Sequence, residues 1–483
     1  MRVLFVYTNI NGFHYDNYHF GVASLVSSTI KAGHDAKVVV LTEKEHYAQV
    51  AEAMKSFQPG VVGFSSVSSQ YIFAKELAGL VKSISPSTLT VCGGVHPTLS
   101  ASSLLECPEL DGFFRGECEI AFVDFLNKLE RKESYKDQSN FSYVENGNII
   151  SNQLAPLIND LDVLPEPDKT LYPYYESAIK KTGIAPFFFT RGCPFTCTYC
   201  FNQSFAELYN RKRNFPRFRS VDRCIQEIEA VVEKYNSEID FVIIGDDIFG
   251  PDATWRGDFC DKYKRRILDK YGTHFEILMR VEMFQNHKLA KKLKDSGCFK
   301  VAFGVESGDE KQRKEALDRK MSDKKLIKAF QVCRDVGIES NSINIIGFPD
   351  ETEEMIKKTV KLNRILRPTT SGVNIFYPYK GTPLGDKCFS DDLVDLEKFA
   401  TFSAERRDSV LNFSKKHLNL LLAYQRDWDG LVYPVYTRKG FRSRLTRLLR
   451  QMGLLPLASV VNRELKRFFR PNSRKKKIYS IGN

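Results

Sequence analysis

The sequence predicts an α/β protein in which a doubly wound parallel sheet is followed by a partial (β/α)6 barrel and a helical, basic C-terminal tail. Three observations predict this architecture. Short apolar strands alternate with helical patterns near the N-terminus, six further strand-and-helix repeats follow, and positive charge concentrates near the C-terminus. A length of 483 residues suits two or three domains. We place the regions at residues 1–135, 136–182, 183–385 and 386–483.

The charge of the chain is unevenly distributed. The formal net charge is +12, but the stretch from Arg438 to Lys477 carries 14 Lys or Arg against one acid, Glu464, a balance of +13. The remainder is therefore near −1. Eleven cysteines show no regular pairing, no apolar run approaches about 18 residues, and the apolar start Met1–Tyr7 is too short for a secretory segment. These features predict a cytoplasmic protein.

The N-terminal region is predicted to be the doubly wound sheet. Its strands are expected at Val3–Tyr7, Ala36–Leu41, Val61–Ser65, Leu89–Cys92 and Gly112–Phe114, with helices at Phe20–Ala32 and Ile72–Ile84. Ligands of such sheets bind beyond the carboxyl ends of the strands. The loops expected there are Asn9–His19, Ser65–Ser69, Gly93–Thr98 and Gly116–Glu119. A dinucleotide site is not indicated, because G-x-G-x-x-G is absent after the first strand.

The connecting region, residues 136–182, is interpreted as structural. A small hairpin is expected over Phe141–Ile150, around the turn formed by Asn146 and Gly147. The prolines of the segment Leu161–Asp168 favour extended backbone and prevent a helix there.

Residues 183–385 are predicted to form the partial barrel. Six strands are expected, at Phe187–Thr190, Phe241–Ile244, Phe275–Met279, Lys300–Phe303, Ser342–Ile346 and Val373–Phe376. Helices such as Val221–Tyr235 and Lys324–Val336 fall between them. The chemistry of a barrel of βα units lies at the carboxyl ends of its strands.

Three cysteines follow the first barrel strand. Cys193, Cys197 and Cys200 are spaced C-x3-C-x2-C, so their thiolates can converge on one metal centre. A closed structural zinc site would need a fourth ligand, whereas a four-iron cluster held by three cysteines leaves one iron open to a small molecule. A partial zinc site and chance proximity are the alternatives.

The segment Thr190–Asn202, with Tyr199 before the third cysteine, resembles the signature of the radical S-adenosylmethionine (SAM) superfamily. The resemblance implies a [4Fe-4S] cluster on Cys193, Cys197 and Cys200 whose free iron chelates SAM. One electron then cleaves SAM to a 5′-deoxyadenosyl radical.

The same resemblance assigns roles to the residues after the second and third barrel strands. Asp246 and Asp247 are expected to meet the ammonium group of SAM, and Arg280 its carboxylate, which a guanidinium matches geometrically. The alternatives are an Asx turn for the aspartates and a surface salt bridge for Arg280.

Two later strand ends complete the expected SAM site. After the fourth strand, Glu306 and Ser307 are implied to touch the ribose or the methionyl part of SAM. After the fifth, Gly347 is implied to lie near the adenine.

The N-terminal region resembles the flavodoxin-like cobalamin-binding domain that precedes the radical domain in one radical SAM group. The matching segments are Phe20–Leu25, Ala32–His34, Gly93–Thr98 and Arg115–Glu119. The residues implied to bind cobalamin are Gly93, Gly94, His96, Gly116 and Glu117. Many cobalamin proteins use the motif D-x-H-x-x-G, whose His ligates cobalt. The most similar segment here, Asp16–Gly21, has the wrong spacing, so cobalamin is expected to bind without a His ligand. A domain that kept the fold and lost the cofactor, and a structural hydrogen bond for His96, remain alternatives.

The tail is expected to be helical over Asp391–Tyr424. Beyond it, Phe441–Arg450 and Val460–Phe469 mix apolar and basic residues at near-helical spacing. Three interpretations are open: a helical cover over the barrel mouth with a disordered end at Arg474–Lys477, contact with the inner face of the membrane, and, least favoured, nucleic-acid binding.

The leading hypothesis is a radical SAM enzyme that uses cobalamin to methylate an unactivated carbon of a small-molecule, lipid or peptide substrate. An electron donor such as flavodoxin or ferredoxin would be its partner. The first alternative keeps the radical and performs cyclisation, rearrangement or carbon–carbon bond formation. The second is a zinc-stabilised binding protein without catalytic activity. No residue identifies the substrate.

Overall fold

The computed structural model of the chain describes residues 1–10, 18–167, 169, 173–211, 216–401 and 405–452. The chain forms two compact units. Of the described residues, the first comprises those within Met1–Gly183, Phe188–Glu227 and Pro378–Glu405, and the second comprises Ile184–Phe187, Ile228–Tyr377 and those from Arg406 to Met452. The region boundaries given above stay a prediction.

The first unit is built on a sheet of seven strands. These are β1 (Arg2–Thr8), β2 (Asp35–Leu41), β3 (Val61–Ser65), β4 (Leu89–Gly93), β5 (Gly112–Phe114), β6 (Phe141–Glu145) and β7 (Asn148–Ser151). Their order is β2-β1-β3-β4-β5-β6-β7. The first five are parallel, and the hairpin β6–β7 adds an antiparallel edge. This confirms the predicted flavodoxin-like sheet, whose strand order switches direction between β1 and β3.

Helices surround this sheet. They are α1 (Phe20–Lys31), α2 (Tyr47–Phe57), α3 (Tyr71–Ile84), α4 (Val95–Leu99), α5 (Glu119–Glu130), α6 (Pro173–Thr182) and α7 (Phe201–Leu208). Apolar residues of β1, β3, α2 and α3 form a buried core. At the start of α1, the Nδ1 atom of His19 accepts a hydrogen bond from the Val22 amide at 3.1 Å, so His19 caps this helix. Residues 11–17 lie outside the described residues. They include most of the predicted loop Asn9–His19 and the first two residues of the segment Asp16–Gly21.

Three short strands follow the connecting region: β8 (Ile184–Phe187), β9 (Thr190–Arg191) and β10 (Arg217–Phe218). In the first unit, β9 and β10 pair antiparallel on either side of the cysteine segment.

The second unit contains a curled, half-barrel sheet of six parallel strands. Besides β8 these are β11 (Phe241–Ile244), β12 (His274–Met279), β13 (Cys298–Glu306), β14 (Glu339–Ile346) and β15 (Thr370–Ile375), and their order follows the chain. The helices between them are α8 (Val221–Tyr235), α9 (Ala253–Tyr263), α10 (Asp269–Tyr271), α11 (His287–Asp295), α12 (Glu310–Glu315), α13 (Asp323–Val336) and α14 (Glu353–Leu366). Helix α8, which follows β10, begins in the first unit and enters the second at Ile228. The predicted partial barrel is confirmed.

One predicted barrel strand was misplaced. The first barrel strand was predicted at Phe187–Thr190, whereas β8 runs over Ile184–Phe187. This strand contains Pro186, and proline lacks the amide hydrogen that a sheet requires. Pro186 is tolerated because β8 is the edge strand of the sheet, paired on one side to β11, and proline is confined to such edges.

The C-terminal region contains α15 (Pro383–Ser390), α16 (Leu396–Thr401), α17 (Lys415–Val432) and α18 (Arg438–Gln451). The single helix predicted over Asp391–Tyr424 was wrong, because α16 ends at Thr401 and α17 begins only after its N-cap Ser414. The predicted helix Val460–Phe469 and the end at Arg474–Lys477 lie outside the described residues. Within the described ranges, no helix is both long enough and apolar enough to cross a membrane.

Candidate active site

The cysteine segment belongs to the first unit. It turns at Gly192, whose φ of +99° lies in the left-handed region that glycine tolerates. The Cys200 amide donates to the Cys197 carbonyl at 3.0 Å, and Cys200 is the N-cap of α7. The sulfur of Cys200 also accepts a long contact from the Asn202 side-chain amide at 3.9 Å. Cys197 is buried, and Cys193 and Cys200 are partly exposed.

The cysteine segment offers three thiol donors. Among the described residues, no three His, Cys, Asp or Glu side chains form a group that could hold a metal ion. A closed structural zinc site takes four ligands. A four-iron cluster can be held by three cysteines, with one iron left open to a small molecule. The number of thiols in the segment therefore fits such a cluster.

Two arginines that flank the cysteines are paired with acids of the Arg115–Glu119 segment. Arg191, on β9, donates from Nη1 to Oε2 of Glu119 at 3.3 Å and forms a second, shorter bond to Oε1. Arg217, on β10, donates from Nη1 to Oε2 of Glu117 at 2.8 Å. Nη1 of Arg191 also lies 3.6 Å from Oε2 of Glu117. Both strands that enclose the cysteine segment are thus tied to the same loop.

Burial and charge act in opposite directions on Glu119. Burial by itself raises the pKa of this carboxyl, but the charge of Arg191 and hydrogen bonds from Arg191 and Ser24 outweigh it, so the pKa lies below its ordinary value of 4.5. The Ser24 hydroxyl donates to Oε1 at 2.8 Å. Burial correspondingly lowers the pKa of Arg191, and the two glutamates raise it by more. The pair is therefore charged at neutral pH.

Gly116 and Glu117, predicted to bind cobalamin, contact the segment that follows the cysteines. Gly116 has φ +77°, and a Cβ there would lie 2.2 Å from Oη of Tyr209, just past α7. The Glu117 amide donates to the same Oη at 3.2 Å. Thr98 accepts from the Gly116 amide at 3.0 Å. These contacts give both residues a positioning role within the first unit.

His96 is buried, and both of its ring nitrogens have partners. Nδ1 lies 3.2 Å from Oγ of Ser68 and Nε2 lies 2.9 Å from Oγ of Ser103. Its ring packs against Tyr71 with centroids 4.3 Å apart. Burial, helped by the positive charge of Lys380, lowers the pKa of His96 to about 3. His96 therefore makes structural hydrogen bonds, and its contact with cobalamin stays a prediction.

Gly93 and Gly94, both predicted to bind cobalamin, differ in whether their positions require glycine. Gly94 has φ +101°, and a Cβ there would lie 2.7 Å from the carbonyl oxygen of Ser66. Gly93 would place a Cβ at an ordinary distance of 3.5 Å from the Phe114 carbonyl. Gly94 therefore allows the turn after β4 to approach the turn after β3 closely.

The carboxyl edge of the first sheet contains a buried hydroxyl, that of Thr8 at the end of β1. Among the described residues this hydroxyl has no hydrogen-bond partner. Thr8 stands beside the switch point of the sheet, where ligands of this fold bind. Because buried polar groups are nearly always hydrogen-bonded, this hydroxyl fits a ligand at that edge.

In the second unit, the predicted SAM residues follow successive strands of one sheet. Asp246 and Asp247 come after β11, and the structure separates them: Asp246 is buried and Asp247 is exposed. Arg280 follows β12 and is buried. It donates from Nη2 to Oε1 of Glu282 at 2.8 Å and from Nε to Oε2 at 3.2 Å. Burial raises the pKa of Glu282, and Arg280 more than reverses this, so the pKa is lowered.

Glu306 ends β13 in a strained conformation. Its φ is +63°, which is unusual for a residue other than glycine, and a bulge interrupts the β13–β14 register just before it. Its Oε1 lies 3.6 Å from Nη1 of Arg319. A Cβ at Gly304 would lie 2.3 Å from that carboxylate oxygen. The backbone of β13 is thus shaped to hold one carboxylate at the carboxyl edge of the sheet.

Ser307 is fully buried. Its hydroxyl accepts a hydrogen bond from the Asp309 amide at 3.1 Å, and its carbonyl accepts one from Nη1 of Arg313 at 2.6 Å. The next residue, Gly308, donates to Thr359 at 2.8 Å, where a side chain would collide with the α14 backbone. This turn is therefore fixed against α14.

Gly347 directly follows β14 with φ +81°, and its amide donates to the carboxylate of Glu351. Glu351 is buried, and within the described part of the chain its Oε1 has no hydrogen-bond partner. Burial raises the pKa of Glu351 to about 8, against hydrogen bonds from Gly347 and Phe348 that lower it. A neutral carboxylic acid thus lies behind the Gly347 turn at neutral pH.

Sequence reasoning missed several residues of these clusters. They are Thr8, Glu119, Arg191, Tyr209, Arg217, Glu282, Arg319 and Glu351. Three of them, Glu119, Arg191 and Glu282, had a weak signal, because each is a charged residue two positions from a predicted site residue. Arg217, Tyr209 and Arg319 carried no such signal, since folding alone brings them to their partners.

Two sequence models of protein families match the chain. The model of the radical SAM superfamily matches residues 187–362, and that of the B12-binding domain matches residues 8–126. The chain is 30% identical over 408 residues to an uncharacterized methyltransferase of Pyrococcus horikoshii, PH0819, covering 83% of this chain and 85% of that protein. It is 25% identical to the anaerobic magnesium-protoporphyrin IX monomethyl ester cyclase of Rubrivivax gelatinosus, covering 83% of this chain and 72% of that protein.

Solved structures share the fold. The cobalamin-dependent SAM radical enzyme OxsB, with aqua-cobalamin and SAM bound, aligns with a TM-score of 0.70 at 17% identity, over 96% of this chain and 72% of its own. The radical SAM methyltransferase TsrM of Kitasatospora setae, with tryptophan substrate and a SAM analogue bound, aligns with a TM-score of 0.67 at 14% identity, over 81% and 76% of the two chains. At these identities the likeness is one of architecture.

Proposed function

This chain belongs to the radical SAM enzymes that carry an N-terminal B12-binding domain, and we propose that it methylates an unactivated carbon of a small organic substrate. The observation that carries the proposal is that the B12-type sheet and the three-cysteine segment share one compact unit. Arg191 and Arg217 join them through Glu119 and Glu117. Such a connection suits an enzyme whose cobalamin and cluster must act on one substrate.

The cofactors of the family are a [4Fe-4S] cluster, SAM and cobalamin. When bound, the reduced cluster supplies the electron that cleaves SAM to a 5′-deoxyadenosyl radical, and cobalamin supplies the methyl group. In our proposal Cys193, Cys197 and Cys200 hold the cluster. The Asn202 amide, which reaches the Cys200 sulfur, would tune it, since hydrogen bonds to cluster sulfurs shift the reduction potential.

The residues at the carboxyl ends of β11 to β14 are proposed to hold SAM. Asp246 offers a buried carboxylate to the ammonium group, and Arg280 offers a guanidinium to the carboxylate. The ion pair with Glu282 orients the Arg280 guanidinium. Glu306 and Ser307 would position the ribose or methionyl part, and the turn at Gly347 would pack near the adenine.

The cobalamin residues are proposed with revised roles. Thr8 and the glycine turn at Gly94 would face the ligand edge of the first sheet. His96 would support that turn from behind, since both of its nitrogens are occupied by Ser68 and Ser103. Gly116 and Glu117 would hold the sheet against the cysteine segment.

The second candidate function is radical cyclisation or rearrangement without methyl transfer. It is favoured by the 25% identity to a protein named as an anaerobic cyclase. The non-enzymatic zinc-protein hypothesis is set aside, because the chain belongs to a family of enzymes. A flavodoxin or ferredoxin as electron donor stays a prediction.

Anaerobic product analysis tests the proposal. The protein is reconstituted with iron, sulfide and hydroxocobalamin, and SAM and a strong reductant are added. We expect 5′-deoxyadenosine, which reports hydrogen abstraction, together with S-adenosylhomocysteine, which reports methyl donation. 5′-Deoxyadenosine without S-adenosylhomocysteine, from protein shown spectroscopically to hold cobalamin, would contradict methyl transfer and favour the second candidate.

A further inference from the structure

Helix α18 packs against the second unit through one face. Nζ of Lys439 donates to the Thr369 carbonyl at 2.6 Å. A Cβ at Gly430 of α17 would lie 2.8 Å from Oγ of Ser443, so the two helices approach closely there. Thr446 is buried. At about 100° per residue, Lys439, Ser443 and Thr446 fall on one side of α18, which is therefore its inner face.

The opposite face carries exposed apolar side chains. Phe441 is 52% exposed, Leu448 53% and Met452 62%. The Met452 amide donates to the Leu448 carbonyl at 3.0 Å, so the helical geometry reaches Met452. At about 100° per residue the three positions lie within about 40° of one another. We call them the apolar stripe of α18. The stripe is turned away from the rest of the second unit.

Cations border this stripe. The sequence of α18, Arg438–Gln451, contains five arginines and one lysine and no acid. Arg438 and Arg444 are exposed and project about 60° to either side of Phe441, and Arg447 is exposed beyond Arg444. The chain after Met452 adds eight Lys or Arg against one acid. An apolar stripe between rows of cations is the pattern of a helix that lies in the surface of an anionic membrane.

We propose that α18 is a membrane-surface helix that inserts Phe441, Leu448 and Met452 among the acyl chains of an anionic bilayer while its arginines meet the lipid phosphates. A second copy of the chain would gain nothing from this charge, because two such faces repel one another. Nucleic acid would use the arginines but would leave the apolar stripe in water. The inference is independent of the chemistry proposed above.

Vesicle sedimentation of the full chain tests the proposal. Wild-type protein should sediment with vesicles of phosphatidylcholine and phosphatidylglycerol, and weakly with phosphatidylcholine alone, and high salt should reduce its binding. The double variant Phe441→Ser/Leu448→Ser keeps every charge and should bind anionic vesicles about tenfold more weakly. The matched control, Leu105→Ser/Ile120→Ser, alters two side chains that are each 54% exposed elsewhere and should bind like wild type.

A spectroscopic variant reports insertion directly. Phe441→Trp should shift its emission to shorter wavelength on anionic vesicles, after subtraction of the signal of the chain's two tryptophans. Equal vesicle binding by the serine variant and wild type, or an unshifted emission, would overturn the proposal. Two further results for the serine variant would also overturn the proposal. In the first, the variant loses only self-association, measured by analytical ultracentrifugation. In the second, it loses only binding to duplex DNA, measured by fluorescence anisotropy.

Discussion

Arg191 and Glu119 form a partly buried ion pair between the strand that leads into the cysteine segment and the first residue of α5. Nη1 of Arg191 lies 3.3 Å from Oε2 of Glu119, whose side chain is only 6% exposed, whereas that of Arg191 is 23% exposed. A carboxylate at the first turn of a helix is also favoured by the helix dipole. The pair therefore fixes the start of the cysteine segment relative to the B12-type sheet.

Removing one partner of this ion pair should lower the stability of the protein. Arg191→Gln leaves Glu119 charged and buried, and we expect a loss of about 3–5 kcal/mol in the free energy of unfolding. Urea unfolding measures it. The double variant Arg191→Gln/Glu119→Gln should recover part of the loss. Arg131→Gln, which breaks an exposed pair with Glu133, should leave the free energy of unfolding nearly unchanged. Equal losses in Arg191→Gln and Arg131→Gln would contradict this account.

The same pair predicts an acid-sensitive step. The folded pKa of Glu119 lies below its ordinary value of 4.5, so its stabilisation is fully present above pH 4.5 and is lost as the pH falls below that value. Unfolding free energies measured from neutral pH downward should fall less steeply below pH 4.5 in Arg191→Gln/Glu119→Gln than in wild type. Parallel curves would show that the pair carries no such linkage.

His96 should destabilise the protein in mild acid. Its folded pKa is about 3 and its ordinary value is 6.5, so the unfolded chain binds the proton first. Its stabilisation is present above pH 6.5 and is lost as the pH falls toward 3, at up to about 1.4 kcal/mol per pH unit. His96→Gln should lack this slope, whereas His46→Gln should keep it. The cobalamin absorption spectrum should be the same in His96→Gln and wild type. A changed spectrum would instead indicate a direct contact with the cofactor.

Glu351 predicts the opposite pH dependence. Its folded pKa of about 8 lies above the ordinary 4.5, so its contribution is fully present below pH 4.5 and is lost as the pH rises to 8. Glu351→Gln keeps an oxygen for the Gly347 amide and cannot ionise. Relative to wild type, it should gain stability from pH 5 to 8, by up to about 1.4 kcal/mol per pH unit in urea unfolding. The exposed Glu354→Gln serves as control, and a gain in both variants would argue against the buried acid.

Gly116 should be intolerant of a side chain because of Tyr209. Gly116→Ala combines a left-handed backbone with a Cβ 2.2 Å from Oη of Tyr209. Gly147→Ala has almost the same φ, +76°, with nothing within 4 Å, so it isolates the backbone strain of about 1–2 kcal/mol. In urea unfolding, Gly116→Ala should lower the free energy of unfolding by more than Gly147→Ala does. Adding Tyr209→Phe to Gly116→Ala should reduce this difference. Equal costs for the two glycines would mean that the loop shifts freely.

Much of this fold could be predicted from local pattern. Buried strands such as Val61–Ser65 and Phe241–Ile244 are short apolar runs next to turn residues, and they lie where the sequence placed them. The cysteine spacing and the polar residues after each barrel strand likewise needed no long-range information. The strand containing Pro186 was misplaced, because its position at a sheet edge is a tertiary property.

The partners within the site could not be predicted in the same way. The pairing of Arg217 with Glu117 joins residues 100 positions apart, and that of Arg319 with Glu306 depends on a bulge in β13. The burial of Glu351 could not be predicted either, because its neighbours in the sequence, Asp350 and Thr352, are polar. Such contacts follow from packing, and they decide which motif residues face a ligand and which support the fold.

The most direct test of the account is SAM cleavage by the reconstituted wild type and by Cys197→Ala. Both proteins are loaded anaerobically with iron and sulfide and reduced, and 5′-deoxyadenosine is quantified by mass spectrometry. Cys107→Ala, a buried cysteine outside the C-x3-C-x2-C segment, is the matched control. We predict 5′-deoxyadenosine from wild type and Cys107→Ala, and none from Cys197→Ala, together with loss of its iron and brown colour. Iron content and SAM cleavage that survive in Cys197→Ala would contradict the assignment of the cluster to this segment.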